Sequence, residues 1–227
     1  MTATDPHPTP TPVRPARTGA AETRARILAA ALGALRETGI TGISARAIAR
    51  HGGFNQALIF YHFGSVEGLL IAVARSESER RSALYAEALA RVTSLPELVG
   101  VARRLHDEEF EGGAVAALTQ MMAGAGGSDE LARGIRDAFE PWTALVGRTM
   151  ERLLADTPYA AILPHDDLTS VVAALFLGIE LYTGLDPSRT ADSLFTTLES
   201  VARLVDVLLQ MTPPSASPPP SPAATAG

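Results

Sequence analysis

Two short helical patterns separated by a double glycine limit the fold of this sequence more than any other feature. The first pattern begins at Ser44, a residue type that caps helices well because its hydroxyl accepts a backbone N–H. Gly52 and Gly53 follow as a turn, and a second pattern begins at Asn55. Two short helices joined by a glycine-containing turn are typical of a helix-turn-helix, which we place at about residues 44–63.

One face of each short helix is apolar, which leaves the other face to meet a partner. Ile48 and Ala49 of the first helix, and Ile59 and Phe63 of the second, are predicted to be buried. The opposite face of the second helix carries amide, small and aromatic side chains. In DNA recognition, amides read adenine, methyl groups touch thymine and hydroxyls hold phosphate. We predict that this face meets the major groove through Asn55, Gln56, Ala57, Phe60 and Tyr61.

The stretch GFNQALIFYHFGSVEGLL, residues 53–70, resembles the TetR family of regulators. That family typically has Gly-Val-Ser-x-Gly-x-Leu-Tyr-Tyr-His-Phe followed by Ser-Lys-Glu-x-Leu, and the resemblance covers roughly residues 22–75. The residues that agree directly are Gly53, Tyr61, His62, Phe63, Ser65, Glu67 and Leu69. The resemblance implies phosphate contacts from Ser44, Tyr61 and His62, base contacts from Asn55, Gln56 and Ala57, and further backbone contacts from Arg46 and Arg50.

Phe54, Asn55, Ile59 and Phe60 are conservative replacements within the family pattern, and four positions differ from the relatives in ways that affect DNA contact or helix capping. Val66 stands where the family often has a phosphate-binding lysine, and Phe60 replaces a tyrosine. Ala57 replaces a glycine that permits close approach to DNA, so its methyl group could itself read a base. Gly68 leaves the usual capping box after Ser65 without its acid. Together these changes predict a domain with fewer phosphate contacts than its relatives.

Two arginines of the N-terminal arm could replace the missing phosphate contact. Arg14 and Arg17 are expected to compensate for the missing lysine by reaching phosphate or the minor groove.

Some residues of the helix-turn-helix region and the turn after it have a second interpretation. Asn55 and Ser65 could act only as helix caps, which is the favoured interpretation for Ser65. His62 could either hold phosphate or anchor the third helix to the fourth.

The charge distribution agrees with a localised DNA contact. The net charge of −6 argues against DNA binding when it is taken for the whole chain. Residues 1–64, however, carry seven arginines and three acids, a net +4, whereas the rest carries 12 basic and 22 acidic residues, a net −10. A basic segment on an acidic body is expected if only that segment meets phosphate.

Composition favours an all-α fold. Apolar residues make up 46% of the chain but aromatic residues only 5%, so the core consists mainly of Ala, Leu and Val. We expect Gly39 to end the first helix and Pro141 to kink or split the seventh. The sequence predicts about nine helices, at about 20–37, 44–51, 55–62, 65–92, from 94 onwards, 114–123, 128–156, 166–183 and 188–210.

These helices divide the chain into four predicted parts. Residues 1–18 and 212–227 are rich in proline and poor in residues that could be buried, so we expect disordered tails. Residues 19–64 form the helix-turn-helix domain, and 65–211 form a body for ligand binding and dimerisation.

Dimerisation through the last two helices is implied by the resemblance and supported by the residues themselves. The segment 171–179 is apolar all around its helix, so one face is left for a partner, unless the helix is buried within one chain. The ninth helix carries a further apolar stripe. The predicted interface comprises Val171, Ala174, Leu175, Gly178, Leu194, Leu198, Val201 and Val205.

A ligand pocket among helices four to seven is implied by the same resemblance. Trp142 is the first candidate, because a kink at Pro141 would open space beside it. The alternative is that most candidates are core residues. Glu180, within the apolar eighth helix, is expected to belong to a buried network more than to a site for a cationic ligand. The candidates are Tyr85, His106, Phe110, Gln120, Met121, Met122, Phe139 and Trp142.

Other classes of function find little support. The chain has no cysteine, no catalytic motif, no phosphate loop and no signal-peptide pattern, so we predict neither an enzyme nor a cofactor or metal site. We expect a soluble cytoplasmic homodimer that represses transcription at a DNA operator until a small-molecule effector releases it. The alternatives are an activator, a ligand-independent regulator, and a helical homodimeric interaction module without operator binding.

Overall fold

The computed structural model describes residues 16–110, 113–155, 157, 164–185 and 191–211. Within these ranges the chain forms nine α-helices and no strand, which confirms the predicted all-α fold. Most of the predicted N-terminal tail and all of the C-terminal one lie outside the described residues. The helices are α1 (Ala16–Gly42), α2 (Ala45–Gly52), α3 (Ala57–Phe63), α4 (Val66–Ala90), α5 (Leu95–Phe110), α6 (Ala114–Gly124), α7 (Asp129–Leu154), α8 (His165–Leu185) and α9 (Ala191–Met211).

The first helix is longer than predicted but is interrupted at the predicted glycine. α1 begins at Ala16, where alanine and arginine extend the helical run. At Gly39 the backbone leaves helical geometry with φ of 67°, a conformation that glycine adopts without a steric penalty. The last residues of α1 therefore change direction before Ser44.

A single apolar core joins the helix-turn-helix to the helices behind it. Ile27 of α1, Ile48 of α2, Ile59 of α3 and Leu69 of α4 are fully buried in this core. The same cluster continues into α6 at Met121 and into α7. Because close-packed cores transmit strain, a movement of α6 or α7 is expected to displace residues of the first three helices.

The body is built on α4 and α7, which pack against each other more extensively than any other described pair. α7 passes through Pro141 as one helix, so the predicted split does not occur. Ala138 and Val146, on either side of the proline, are buried and hold the helix in place. Residues 124–127, which lie between the predicted sixth and seventh helices, form the end of α6 and a 3-10 turn (Ala125–Gly127).

The last two helices cover the body with one side and expose apolar residues on the other. α9 packs on α5, and α8 packs on α7. Phe195 of α9 is 1% exposed and Ile179 of α8 is buried. No single helix in the described ranges is both long and apolar enough to cross a bilayer, although α3 and α4, bent by 64°, pass this test of length and composition as a pair.

Candidate nucleic-acid interface and ligand cavity

The caps of α2 set the geometry of the helix-turn-helix. Ser44 is extended, and its hydroxyl accepts a hydrogen bond from the backbone N–H of Ala47 at 3.2 Å. At the other end Gly53 adopts the left-handed conformation with φ of 64°, and its N–H donates to the carbonyl of Ala49. Local hydrogen bonds thus determine where α2 starts and stops.

The start of α3 separates the roles of its two amide residues. The side-chain oxygen of Asn55 accepts a hydrogen bond from the N–H of Ala57 at 2.9 Å, so this residue caps the helix. Gln56 is exposed and makes no side-chain cap hydrogen bond. Its carboxamide is therefore available to a partner, whereas that of Asn55 has already used its oxygen.

Four of the predicted DNA-binding residues line the same surface, and most of the others are exposed. Arg46, Arg50, Asn55 and Gln56 line one open concave surface between α2 and α3. Tyr61, further along α3, is 81% exposed, which is unusual for an aromatic side chain. Of the predicted set, His62 is half-buried, and the exposed members are Ser44, Arg46, Arg50, Asn55, Gln56, Ala57, Phe60 and Tyr61.

Arg24 is a positioning residue that the sequence did not identify. Its guanidinium donates to the carbonyl of His62 at 3.0 Å and lies over the ring of Phe63, 4.2 Å from the ring centroid. This contact ties α1 to the C-terminal end of α3. The two partners are 38 residues apart in the sequence, so no helical spacing could have indicated it.

The turn between α3 and α4 explains two departures from the family pattern. Ser65 accepts a hydrogen bond from the N–H of Gly68 at 2.9 Å, as expected of a cap. A Cβ atom at Gly68 would lie 2.4 Å from the carbonyl oxygen of Phe63, so this geometry leaves no room for the usual acid. Val66 is half-buried and packs on the core that joins α1 to α7, where a lysine would lose apolar contact.

A narrow apolar cavity lies between α4, α5, α6, α7 and α8. It has two compartments of about 80 and 60 Å³ that share Leu105, Trp142, Ala173 and Phe176. Of the predicted pocket residues, Met122, Phe139 and Trp142 line it. The ring of Tyr85 is packed edge-on to Trp142 with centroids 6.4 Å apart.

Other predicted pocket residues lie elsewhere. Met121 is fully buried in the core shared with α1, and the side-chain oxygen of Gln120 would lie 3.5 Å from a Cβ atom at Gly39. Both therefore belong to the contact between α6 and α1. The side chain of Phe110 lies outside the described residues.

His106 belongs to a buried polar pair behind the cavity. Its Nδ1 lies 2.6 Å from Oε1 of Glu180, and both residues are buried. Burial raises the pKa of Glu180, while the hydrogen bond and the charges of His106 and Arg81 act in the opposite direction. Glu180 thus lies in the kind of buried network that the sequence favoured over a site for a cationic ligand.

The outer side of α8 and α9 is an exposed apolar face. Val171, Leu175 and Val201 of the predicted interface are 47–62% exposed, whereas Leu194, Leu198 and Val205 are only half-exposed. Leu208 is also exposed and lies on the apolar stripe predicted for the ninth helix. Periodicity did not single out the other exposed apolar residues of this face, which are Leu181, Tyr182, Leu204 and Val207. We call the exposed residues Val171, Leu175, Leu181, Tyr182, Val201, Leu204, Val207 and Leu208 the α8–α9 face.

Comparison with known proteins finds a family model that matches the N-terminal region and solved structures that match most of the chain. Residues 27–73 match the family model of bacterial regulatory proteins of the tetR family. No curated protein sequence matches the chain significantly. Among solved structures, a protein from Mesorhizobium loti assigned to the TetR-family transcriptional regulators has a TM-score of 0.63 and 19% identity, with 83% of this chain and 97% of that one covered.

Two further structures extend the likeness of the fold. The fatty acid degradation regulator FadR from Bacillus halodurans has a TM-score of 0.65 and 14% identity, over 79% of this chain and 94% of its own. The multidrug binding protein EbrR, complexed with imidazole, has a TM-score of 0.58 and 22% identity, over 88% and 97%. At such identities the likeness concerns the fold, from the helix-turn-helix to the last helices.

Proposed function

We propose that this chain, whose residues 27–73 match the family model of the tetR family and whose fold is similar to that of a TetR-family transcriptional regulator, is a homodimeric, non-enzymatic repressor released from its operator by a small molecule. The fold itself serves DNA-binding transcriptional regulation. The observation that carries the proposal is the exposed polar surface of α2 and α3, where Gln56 lies beside the arginines of α2 and Tyr61 is exposed further along α3.

The chemistry of this surface suits duplex DNA. Arg46 and Arg50 are exposed and one helical turn apart, so both can reach the phosphate backbone beside the groove that α3 enters. Gln56 can pair with the N6 and N7 atoms of adenine, and Ala57 can touch a thymine methyl group. Sequence specificity then rests on a few side chains, and affinity rests on charge.

The α8–α9 face supports pairing of two chains. Monomeric proteins seldom leave large apolar surfaces exposed, and these two helices expose eight large apolar side chains. Pairing through it by a two-fold axis would bury the same residues on both chains and present two copies of α3 to successive major grooves.

A route from the cavity to the DNA surface supports control by a ligand. α6 contributes Val115, Leu118 and Met122 to the cavity wall. Its opposite side contacts α1, where a Cβ atom at Gly124 would lie only 2.4 Å from Ile40. A ligand that shifts α6 therefore shifts α1 and the helix-turn-helix, provided that it binds the released shape more tightly.

Binding to DNA fragments that flank the coding sequence tests the proposal. We expect salt-dependent binding to one fragment, with the slope of log affinity against log salt reduced by about 4 in the double variant Arg46→Gln/Arg50→Gln, because the dimer loses two arginines in each of its two chains. Arg91→Gln is the matched control, because Arg91 is exposed at the far end of α4. Absence of salt-sensitive binding to any fragment would indicate an interaction module instead.

Two α3 variants then separate base recognition from phosphate contact. Gln56→Ala should lower discrimination at one operator position by about 1–3 kcal/mol, while Tyr61→Phe should weaken all sites alike. Affinities for a panel of single-base operator variants give the measurement. Equal losses at every position for Gln56→Ala would contradict its assignment to a base edge.

A further inference from the structure

We propose that the cavity between α4 and α8 binds a small carboxylic acid with a single aromatic ring, and that its carboxylate lies at Arg81 and Ser78. This ligand class rests on the proposed function, since it specifies the effector of the same site. The inference follows from where polar groups stand in the cavity, from their burial and from its size.

The cavity has one polar end and one apolar end. The compartment next to α6 is lined by Ser78, Arg81 and Thr143 among otherwise apolar residues. The other compartment has only apolar residues in its lining, among them Leu89, Val101 and Val146. A ligand that fills both compartments therefore carries its polar group at one end only.

Ser78 marks the polar end as a binding position. It is 1% exposed, and its hydroxyl has no hydrogen-bond partner among the residues that the structure describes. Buried hydroxyl groups are hydrogen-bonded in the large majority of proteins, so a partner inside the cavity is expected. A ligand oxygen at this position would accept a hydrogen bond from the hydroxyl group of Ser78.

Arg81 gives the polar end of the cavity a positively charged group. It lies three residues after Ser78 on α4, so both side chains reach the same part of the cavity, and it is 4% exposed. Its Nη2 lies 3.7 Å from a carboxylate oxygen of Glu77. Its charge also acts on Glu180, which does not line this compartment. A guanidinium has five N–H donors in a planar arrangement and can hold a ligand carboxylate in addition to these acidic neighbours. A cationic ligand would be repelled by this arginine, because no Asp or Glu is among the described residues that line the compartment.

Size and wall chemistry select the apolar part. The compartments, of about 80 and 60 Å³, are together comparable to the apolar cavity of about 150 Å³ that binds benzene in another protein. Phe139, Trp142 and Phe176 line this space, although aromatic residues are only 5% of the chain. Aromatic walls favour a ring in offset or edge-on contact.

Calorimetric titration of the full chain with three matched probes tests the ligand class. Benzoate, benzamide and benzylamine share the ring and differ in the charge of the polar group. We expect saturable binding of benzoate, at least about tenfold weaker binding of benzamide, and no binding of benzylamine. Equal binding of benzoate and benzamide, a preference for benzylamine, or no binding of any probe would overturn the proposal.

Variants identify the residues that recognise the acid. Arg81→Met should abolish the preference for benzoate over benzamide, and Ser78→Ala should weaken benzoate by about three- to tenfold. Arg80→Met is the control, since Arg80 is the exposed neighbour that also pairs with Glu77, and it should bind benzoate like the unmodified protein. If Arg81→Met fails to fold, Ser78→Ala and the filled-cavity variant Ala173→Leu decide the matter, because both should weaken benzoate, and unchanged binding in both would overturn the proposal.

Operator binding is measured on the same samples so that the two proposals fail separately. If the protein binds its operator but no aromatic acid, the ligand class is wrong and the regulator remains. If benzoate binds as described but the protein binds no DNA, the proposed function is wrong while the cavity assignment holds.

Discussion

The exposed surface at the two ends of this chain differs in chemistry. On α2 and α3 the outward side chains include Arg46, Arg50 and Gln56, which stay hydrated until they meet a charged, polar partner. On α8 and α9 the exposed side chains include Val171 and Leu204, which gain most from a dry contact. One end is therefore suited to a polyanion, and the other to a second copy of the same apolar surface.

Charging the α8–α9 face should have the largest effect. Leu204→Asp, at a residue 60% exposed, would place a carboxylate in the centre of the paired surface and produce a monomer. Loss of the second α3 should then weaken operator binding by about 100-fold or more, because the two half-sites are no longer bound together. Sedimentation and fluorescence anisotropy measure the two effects.

Leu84→Asp provides the control for that experiment. Leu84 lies on α4 and is exposed to a similar extent, 55%, but belongs to no part of the α8–α9 face. We expect this variant to remain dimeric and to bind the operator normally. If both variants are monomeric, or if neither is, the comparison between the two surfaces does not hold.

The two regions also differ in how much of their structure could be predicted from the sequence. Ser44, Gly39 and Gly53 act through hydrogen bonds and backbone angles within a few residues, so their roles could be predicted from local pattern alone. The bond from Arg24 to the carbonyl of His62 joins residues far apart in the chain and could not. The helix-turn-helix was thus largely accessible to prediction, apart from its ties to α1.

The body was predictable as helices but not as packed surfaces. α9 is apolar on more than one face, so periodicity could not tell that Phe195 and Ala202 turn inward while Leu204 stays exposed. The cavity between α4 and α8 depends on α4, which brings Ser78 and Arg81 to its polar end through tertiary packing. Neither residue carries a local signal that would distinguish it from a surface position.

A smaller effect is expected from the turn before α4. Gly68→Ala would bring a Cβ atom against the carbonyl of Phe63 and should lower the free energy of unfolding by about 1–3 kcal/mol. Gly100→Ala is the control, because nothing lies within 4 Å of a Cβ atom there, and it should stabilise α5 by about 0.5–1 kcal/mol. Chemical denaturation of both variants provides the test. Stabilisation by Gly68→Ala would show that the turn between α3 and α4 has room for a side chain at this position.

The smallest effect is expected inside the body, at the buried pair of Glu180 and His106. Because burial raises the pKa of Glu180, its carboxyl group holds a proton in the folded chain at pH values where the unfolded chain has lost it. The stability that Glu180 contributes is therefore full below its unfolded pKa and falls as pH rises through the folded pKa. Glu180→Gln cannot ionise but has both a side-chain oxygen and N–H groups, so it can replace the partner of His106 Nδ1 in either tautomer. Its stability relative to the unmodified protein should rise as pH increases above 4.5, the ordinary pKa of a glutamate, as measured by urea unfolding at a series of pH values. A difference that stays constant with pH, or falls, would mean that His106 and Arg81 compensate fully for the burial of the carboxylate.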